Sequence, residues 1–250
     1  MEGDLLIECI GSFPGTSPSS VIAFNRITGK EVWKTPTEGL TNSSPVIVSA
    51  AGKRQVIVWT QGSVMALEPA TGKLLWQEKM KTSAQDAVTT PVFHNNLLLL
   101  SGLMLKLDPD KPAATVLWPD TKAVSRRTLS VTSTALFQDE YLYSAQRSGS
   151  LVCLEAATGK KVWETEKVTD PGNEACIHIT PNGDSAFLYN DKGELILAHL
   201  TPRGFQEVFR TLLLKPFPKT KAWAAAAYAN RHVFVRNDEE LIGVSLAANP

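Results

Sequence analysis

Paired cysteines, net charge and a long apolar run are all missing from this chain, and each absence removes a class of protein. Its three cysteines, Cys9, Cys153 and Cys176, are an odd number, far apart, and each sits inside an apolar stretch. That is the setting of buried thiols, not of a disulfide framework. Lys plus Arg number 25 and Asp plus Glu 25 in 250 residues, so no global field draws in nucleic acid or an anionic membrane surface. The longest apolar stretch, "NNLLLLSGLML" (Asn95 to Leu105), stops well short of the roughly 20 residues a membrane-spanning helix needs. Direct membrane insertion is not expected. The opening "MEGDLLIECIG" has acidic residues where a secretory leader is positive, followed by a short apolar run. As written, the chain carries no export signal.

What the sequence has is repetition. Aligned on tryptophan, four phrases recur: "SVIAFNRITGKEVWKT" (Ser20 to Thr35), "SVMALEPATGKLLWQE" (Ser63 to Glu78), "LMLKLDPDKPAATVLWPD" (Leu103 to Asp120) and "SLVCLEAATGKKVWET" (Ser150 to Thr165). Trp33, Trp76, Trp118 and Trp163 thus return about every 44 residues, a period typical of propeller blades. Two degenerate copies follow: "ELILAHLTPRGFQEVFRT" (Glu194 to Thr211), with Phe209 in the tryptophan place, and "ELIGVSLAANP" (Glu240 to Pro250), which stops before it.

Each phrase reads as a β-hairpin. Val64, Ala66 and Leu67 lead into the turn Glu68 to Lys73, and Leu74, Leu75 and Trp76 resume a strand. Gly72 supplies the positive φ that the closing bulge of the turn requires, and Gly29 and Gly159 fill the same role. Two more short apolar runs precede each hairpin, such as "SSPVIVSA" with "RQVIVWT" and "TTPVFHN" with "LLLLSG". Four short strands per unit, with no helical periodicity between them, predict an all-β propeller of four-stranded antiparallel blades. A β-helix is disfavoured, because its coils are shorter and lack the meander. The expected units are residues 4–36, 43–80, 87–120, 129–166, 174–212 and 222–250 of a single domain.

A meander buries both faces only between neighbours, so each blade must pack sideways. A tryptophan on the outermost strand, its indole N–H directed at a carbonyl of the next blade, suits that joint. The expected docking residues are Ala23, Thr28, Gly29 and Trp33; Ala66, Thr71, Gly72 and Trp76; Trp118; Thr158, Gly159 and Trp163; and Phe209. Small Ala23 and Ala66, with Cys153, leave room for the ring.

The pattern Ala23 to Trp33, repeated as Ala66 to Trp76, resembles the tryptophan-docking motif of pyrroloquinoline-quinone (PQQ)-like β-propellers, and "SSPVIV" and "TTPVF" are typical of the same superfamily. The likeness covers essentially the whole chain. It is similar in particular to planctomycete-type PQQ-like repeat proteins and, more distantly, to the propeller lipoprotein of the outer-membrane β-barrel assembly machinery. The resemblance implies two activities. One is a non-catalytic interaction scaffold of the bacterial envelope, periplasmic or otherwise extracytoplasmic, acting as a monomer on an unidentified protein or small ligand without a cofactor. The other is a fragment of a quinoprotein dehydrogenase; a sensor propeller of a larger signalling protein is a third reading.

The resemblance to quinoprotein dehydrogenases implies an adjacent Cys-Cys pair stacked against the quinone, a calcium ion held by acidic and amide side chains, and an aspartate base. No two cysteines are adjacent here. Asp170, Asn173 and Glu174 of "DPGNEA" are the best local oxygen donors, and they read as a solvated loop. Cys176 and His178 share a strand face, the expected place of a packed thiol and a hydrogen-bonded imidazole. His94, His199 and His232 have no visible nucleophile or acid beside them. The basic run "KPFPKTK" (Lys215 to Lys221) and Arg126-Arg127 read as loops between blades, and a single Phe217 makes no stacking platform for nucleic acid.

The first unit begins at a second strand, "DLLIECIG", and the last ends after a third, "ELIGVSL". The expectation is an incomplete part of a seven- or eight-bladed ring, whose missing strands lie upstream.

Overall fold

The computed structural model describes residues 1–11, 19–80, 88–119, 129–171, 176–215 and 222–247. They are organised as two compact units, Met1–Arg127 and Thr128–Pro250. Each unit holds three antiparallel sheets whose strands follow one another in chain order.

In the first unit, β1 (Leu5–Ile10), β2 (Ser19–Asn25) and β3 (Glu31–Thr37) form the first sheet. The second is β4 (Val46–Ala50), β5 (Lys53–Trp59), β6 (Ser63–Leu67) and β7 (Leu74–Lys79). The third is β8 (Val92–His94), β9 (Leu97–Leu100), β10 (Leu103–Leu107) and β11 (Ala114–Trp118).

In the second unit, β12 (Leu136–Gln138), β13 (Tyr141–Ala145), β14 (Leu151–Glu155) and β15 (Lys161–Thr165) form one sheet. The next is β16 (Ile177–Asn182), β17 (Ser185–Asn190), β18 (Glu194–Thr201) and β19 (Gly204–Leu212). The last is β20 (Ala227–Ala229), β21 (His232–Arg236) and β22 (Leu241–Ser245). Among the described residues the first and last sheets have three strands and the four between them have four. This is the all-β meander architecture of propeller blades that the repeats predict.

Residue alternation explains why the sheets must stack. In the second sheet Val56, Val58, Met65 and Leu67 pack against Ile7, Val21, Ala23 and Trp33 of the first. Their strand neighbours Ile57, Trp59, Val64 and Ala66 point the other way, into a cluster with Leu98, Leu100, Leu103 and Leu105 of the third. The sheet β16 to β19 is sandwiched in the same way: Ala186, Leu188, Ile196 and Ala198 meet Tyr143, Leu151 and Cys153. On its other face Tyr189 and Leu195 meet Val233 and Val235. A strand that must be apolar on both faces reads as an unbroken hydrophobic run, and β6 is buried at every position. Outer strands such as β3 and β7, with one buried tryptophan among exposed neighbours, alternate instead.

Every outer strand pairs with a register shift at one place. Trp33 lies opposite Ala23, Trp76 opposite Ala66, Trp118 opposite Met104, Trp163 opposite Cys153 and Phe209 opposite Leu197, and the ladder skips the residue just before each aromatic. The skipped residues Val32, Leu117, Val162 and Val208 are turned to solvent, which accounts for their exposure. The bulge therefore sits beside the tryptophan, aiming its ring, and the turn glycine closes the hairpin separately.

Truncating Ile57 to Ala is expected to cost about 2–5 kcal/mol in urea-induced unfolding. Val32→Ala, at a bulge, should stay within about 0.5 kcal/mol of the parent. Equal losses would place the bulge residues in the core.

Candidate functional site

Of the side chains singled out by the sequence, Trp33, Gly72 and Trp163 lie where one sheet meets the next. Trp33 is 8% exposed, and its indole Nε1–H donates to the carbonyl of Pro69, in the β6–β7 turn of the following sheet, at 2.8 Å. Thr35 Oγ1 donates to the carbonyl of Gly72 in the same turn at 2.7 Å. A Cβ built on Gly72 would lie 2.4 Å from Trp33 Cε3. Gly72 is thus fixed twice, by its φ of 70° and by the indole resting on it. Gly29 shares the φ of 70° but has open space around it, and Gly159 has the same φ.

Trp163 repeats the arrangement in the second unit. Its Nε1–H donates to the carbonyl of Thr201, in the β18–β19 turn, at 2.7 Å, and its ring lies 5.9 Å from that of Tyr143. Trp76 is as buried as Trp33, but its Nε1–H donates to Gln55 Oε1 of its own sheet at 2.8 Å. Gln55 in turn donates from Nε2 to the carbonyl of Ala50. The turn that should receive Trp76 reads Asp108-Pro109-Asp110-Lys111-Pro112-Ala113, with proline where Gly72 stands, and a pyrrolidine ring leaves no bare backbone for an indole to cover. Trp118 is partly buried. Phe209, in contrast, is 54% exposed. It has no N–H to place and faces the bulky Leu197, while the joint beyond that sheet is filled by Phe187 stacked on Tyr228 at 5.2 Å.

The threonines of the Thr-Gly-Lys turns act locally. Thr28, Thr71 and Thr158 donate to Asn25 Oδ1, Glu68 Oε2 and Glu155 Oε2, and accept from the N–H of Lys30, Lys73 and Lys160. Each shapes its own turn, Thr71 the one that contains Pro69 and Gly72, and none reaches the neighbouring sheet through these bonds.

Two sets of polar fasteners escaped the sequence reading. The residue after the aromatic bonds the one that opens the third strand: Gln77 to Ser63 at 2.8 Å, Glu164 to Ser150 at 2.5 Å and Arg210 to Glu194 at 2.8 Å. The chemistry is exchanged from blade to blade while the position is kept. Glu38, on the segment between sheets, also accepts from Thr60, Ser63 and Gln77. The second set sits before the first strands β4, β8, β12 and β16. Ser43 donates to the carbonyl of Thr89 at 2.8 Å, and Ser133 donates to Cys176 Sγ at 3.3 Å while accepting from Ile177 N–H at 2.9 Å. The aligned phrases already held a signal for the first set, since five of the six open with Ser or Glu and only the third opens with Leu103.

A family model described as outer membrane protein assembly factor BamB matches residues 17–180. The chain belongs to that family. Among solved structures it is similar to BamB from Moraxella catarrhalis, with 17% identity, a TM-score of 0.51, and 91% of this chain and 80% of that one covered. It is also similar to the quinohemoprotein alcohol dehydrogenase of Comamonas testosteroni, with 12% identity and a TM-score of 0.58 over 92% of this chain. The chain spans 49% of that enzyme's length. A computationally designed protein, Ika8, matches with 14% identity and a TM-score of 0.55, over 92% of this chain and 67% of that one. No curated protein matches the chain.

The described residues do not fit a quinone and calcium centre. The free cysteines Cys9, Cys153 and Cys176 are in three different sheets or their approaches, and among the described residues no three His, Cys, Asp or Glu side chains converge as metal ligands. Asp170 is at the surface and pairs with Lys192 at 3.3 Å. Asn173, Glu174, Arg126, Arg127, Phe217 and the cluster up to Lys221 lie outside the described residues. His199 and His232 contact the backbone carbonyls of Asp184 and Asn230 through Nδ1, and His94 contacts the Asn95 amide. Cys176 and His178 do meet, with Sγ and Nε2 3.0 Å apart.

Gly72→Ala is expected to lower stability by more than Gly29→Ala, because both strain a positive φ but only the first collides with Trp33. Losses of about 1 kcal/mol for Gly29 and at least about twice that for Gly72 should appear in thermal or urea unfolding. Trp76→Ala should cost roughly 3–5 kcal/mol, and an unchanged melting temperature would remove it from the joint.

Proposed function

We propose that the chain is a non-catalytic propeller domain that serves as an interaction platform in the bacterial envelope, and that its tryptophans are the joints between blades. The reading rests on one observation above the others: the match of the BamB family model to residues 17–180. The geometry agrees with it. Trp33, Trp163 and Gly72 lie between sheets, the repeated Ser and Gln or Glu fasteners tie the outer strand to the third within a sheet, and none of them surrounds a reactive centre among the described residues. Repeat folds bind through the turns and faces that a fixed scaffold displays. Here a groove of about 540 Å³ in the first unit, bordered by Glu2, Asp4, Lys53, Arg54, Glu68 and Pro69, offers both signs of charge over the apolar Leu5 and Leu75. Such a surface suits a protein segment that is itself mixed in charge, engaged outside the cytoplasm by a single copy of the chain.

The likeness to a quinohemoprotein alcohol dehydrogenase supports a second reading, a quinoprotein oxidoreductase in which this chain is one part.

The two separate in one pair of measurements. Titration with PQQ and calcium, followed by quinone absorbance and dye-linked alcohol oxidation, should show no binding and no turnover. Cross-linking of the tagged protein in intact envelopes should recover outer-membrane assembly proteins through the first-unit groove, with Lys53→Glu reducing the yield. Quinone binding with turnover would establish the enzyme instead.

A further inference from the structure

The position that precedes the first strand of a sheet holds a small hydroxyl side chain at Ser43, Thr89 and Ser133, and a thiol at Cys176. Around that sulfur, donors converge from two sheets. Ser133 donates its hydroxyl at 3.3 Å, and His178 Nε2 lies at 3.0 Å. The same Nε2 is 2.9 Å from the carbonyl of Trp223. A carbonyl only accepts, so Nε2 carries a proton, and the sulfur beside it is an acceptor too. The 3.0 Å contact with a protonated Nε2 makes the sulfur an acceptor, and the Trp223 carbonyl, 4.0 Å away, is already engaged by that nitrogen. A protonated imidazole nitrogen at 3.0 Å and a hydroxyl donor at 3.3 Å are the surroundings of a thiolate.

Electrostatics agree with the geometry. Burial pushes the Cys176 thiol up, but hydrogen bonding to His178 and its charge, with Ser133 and Thr132, outweigh it and leave the thiol below its ordinary value. Burial likewise pushes His178 down, and Cys176 and the Trp223 carbonyl outweigh it and raise the imidazole. The other two cysteines go the opposite way: burial pushes Cys9 and Cys153 up to about 11. Tyr189, opposite His178 in the ladder, is pushed up by burial to about 12 and stays neutral. Asp191 gives its N–H to the Cys176 carbonyl and accepts the Thr169 hydroxyl.

We propose that Cys176 and His178 form a thiolate–imidazolium pair and that Cys176 is an oxidation site for small hydroperoxides. The thiolate attacks the terminal oxygen of the peroxide, the O–O bond breaks, and the leaving alkoxide or hydroxide takes the Nε2 proton of His178. The sulfur loses two electrons and becomes a sulfenic acid, and the peroxide is reduced to an alcohol or water. The Trp223 carbonyl lies 4.0 Å from the sulfur, and its segment is fastened by the bond from Ala222 N–H to the Asp191 carbonyl and by that from His178. Trp223 is itself 50% exposed, so lifting this segment uncovers little indole. With the Trp223 carbonyl only 4.0 Å from Sγ, the added oxygen crowds that carbonyl and displaces the His178 bond that holds the approach to β20. Oxidation thereby loosens the last sheet from its neighbour.

The probe is hydrogen peroxide with dimedone, read by peptide mass spectrometry on the intact chain. Cys176 should be labelled at least about tenfold faster than the more accessible Cys9 or the buried Cys153. His178→Gln, which keeps a donor for the Trp223 carbonyl but loses the charge, should slow labelling by about tenfold or more. A readout without any reagent is the thiolate absorbance near roughly 240 nm, which should be present at pH 7 in the parent and lost in Cys176→Ser. Labelling of Cys9 ahead of Cys176, no label on Cys176, or no difference in that absorbance would each overturn the proposal.

Discussion

Val56 and Ile57 are consecutive in β5 and both are completely buried, which is possible only if both faces of their sheet are covered. An antiparallel hairpin pair can hide one face by itself but never two. Lateral stacking is therefore the condition for this sequence to fold, and the rest of the structure serves it. The apolar side chains supply the driving force, since each fully buried Val, Leu or Ile is worth about 1.5–3 kcal/mol. That force is non-directional. It does not fix the angle or register at which one sheet meets the next.

Direction comes from the edges. The bulge beside each outer aromatic turns the ring across the sheet, and in two cases the indole N–H finds the backbone of the next turn, at Pro69 and at Thr201. Gly72 shows how closely the halves fit, because nothing larger than hydrogen is accommodated under Trp33. The polar pairs Ser63 with Gln77, Ser150 with Glu164 and Glu194 with Arg210 tie the outer strand to the third strand at the opposite end from the turn. A scaffold built this way keeps its loops fixed in place, which is what the proposed platform function needs.

The architecture was legible because the chain states it repeatedly: the period, the two strands before each hairpin and the Thr-Gly-Lys turn are local patterns. An N–H placed at a buried edge calls for a carbonyl partner, and Trp33 and Trp163 donate to those of Pro69 and Thr201. Trp76 shows where that reasoning fails. Its partner, Gln55, lies in its own sheet, and choosing between Gln55 and the next turn depends on Pro112 of that turn, a comparison of two sites that no single motif contains. Phe209 fails for the same reason, since its joint is filled by Phe187 and Tyr228 from other strands. Strand alternation put Cys176 and His178 on one face, yet the hydroxyls of Thr132 and Ser133 come from a different sheet, and no pattern within β16 reveals them.

The account rests on the claim that the tryptophans of the outer strands are sealed joints. Indole hydrogen exchange tests it most directly, by following the Nε1–H resonances of the 15N-labelled protein in deuterated buffer. Trp33 and Trp163 should exchange as slowly as the backbone amides of β5 and β17, while the half-exposed Trp223 exchanges within the dead time. Exchange of Trp33 and Trp163 as fast as that of Trp223 would contradict the account.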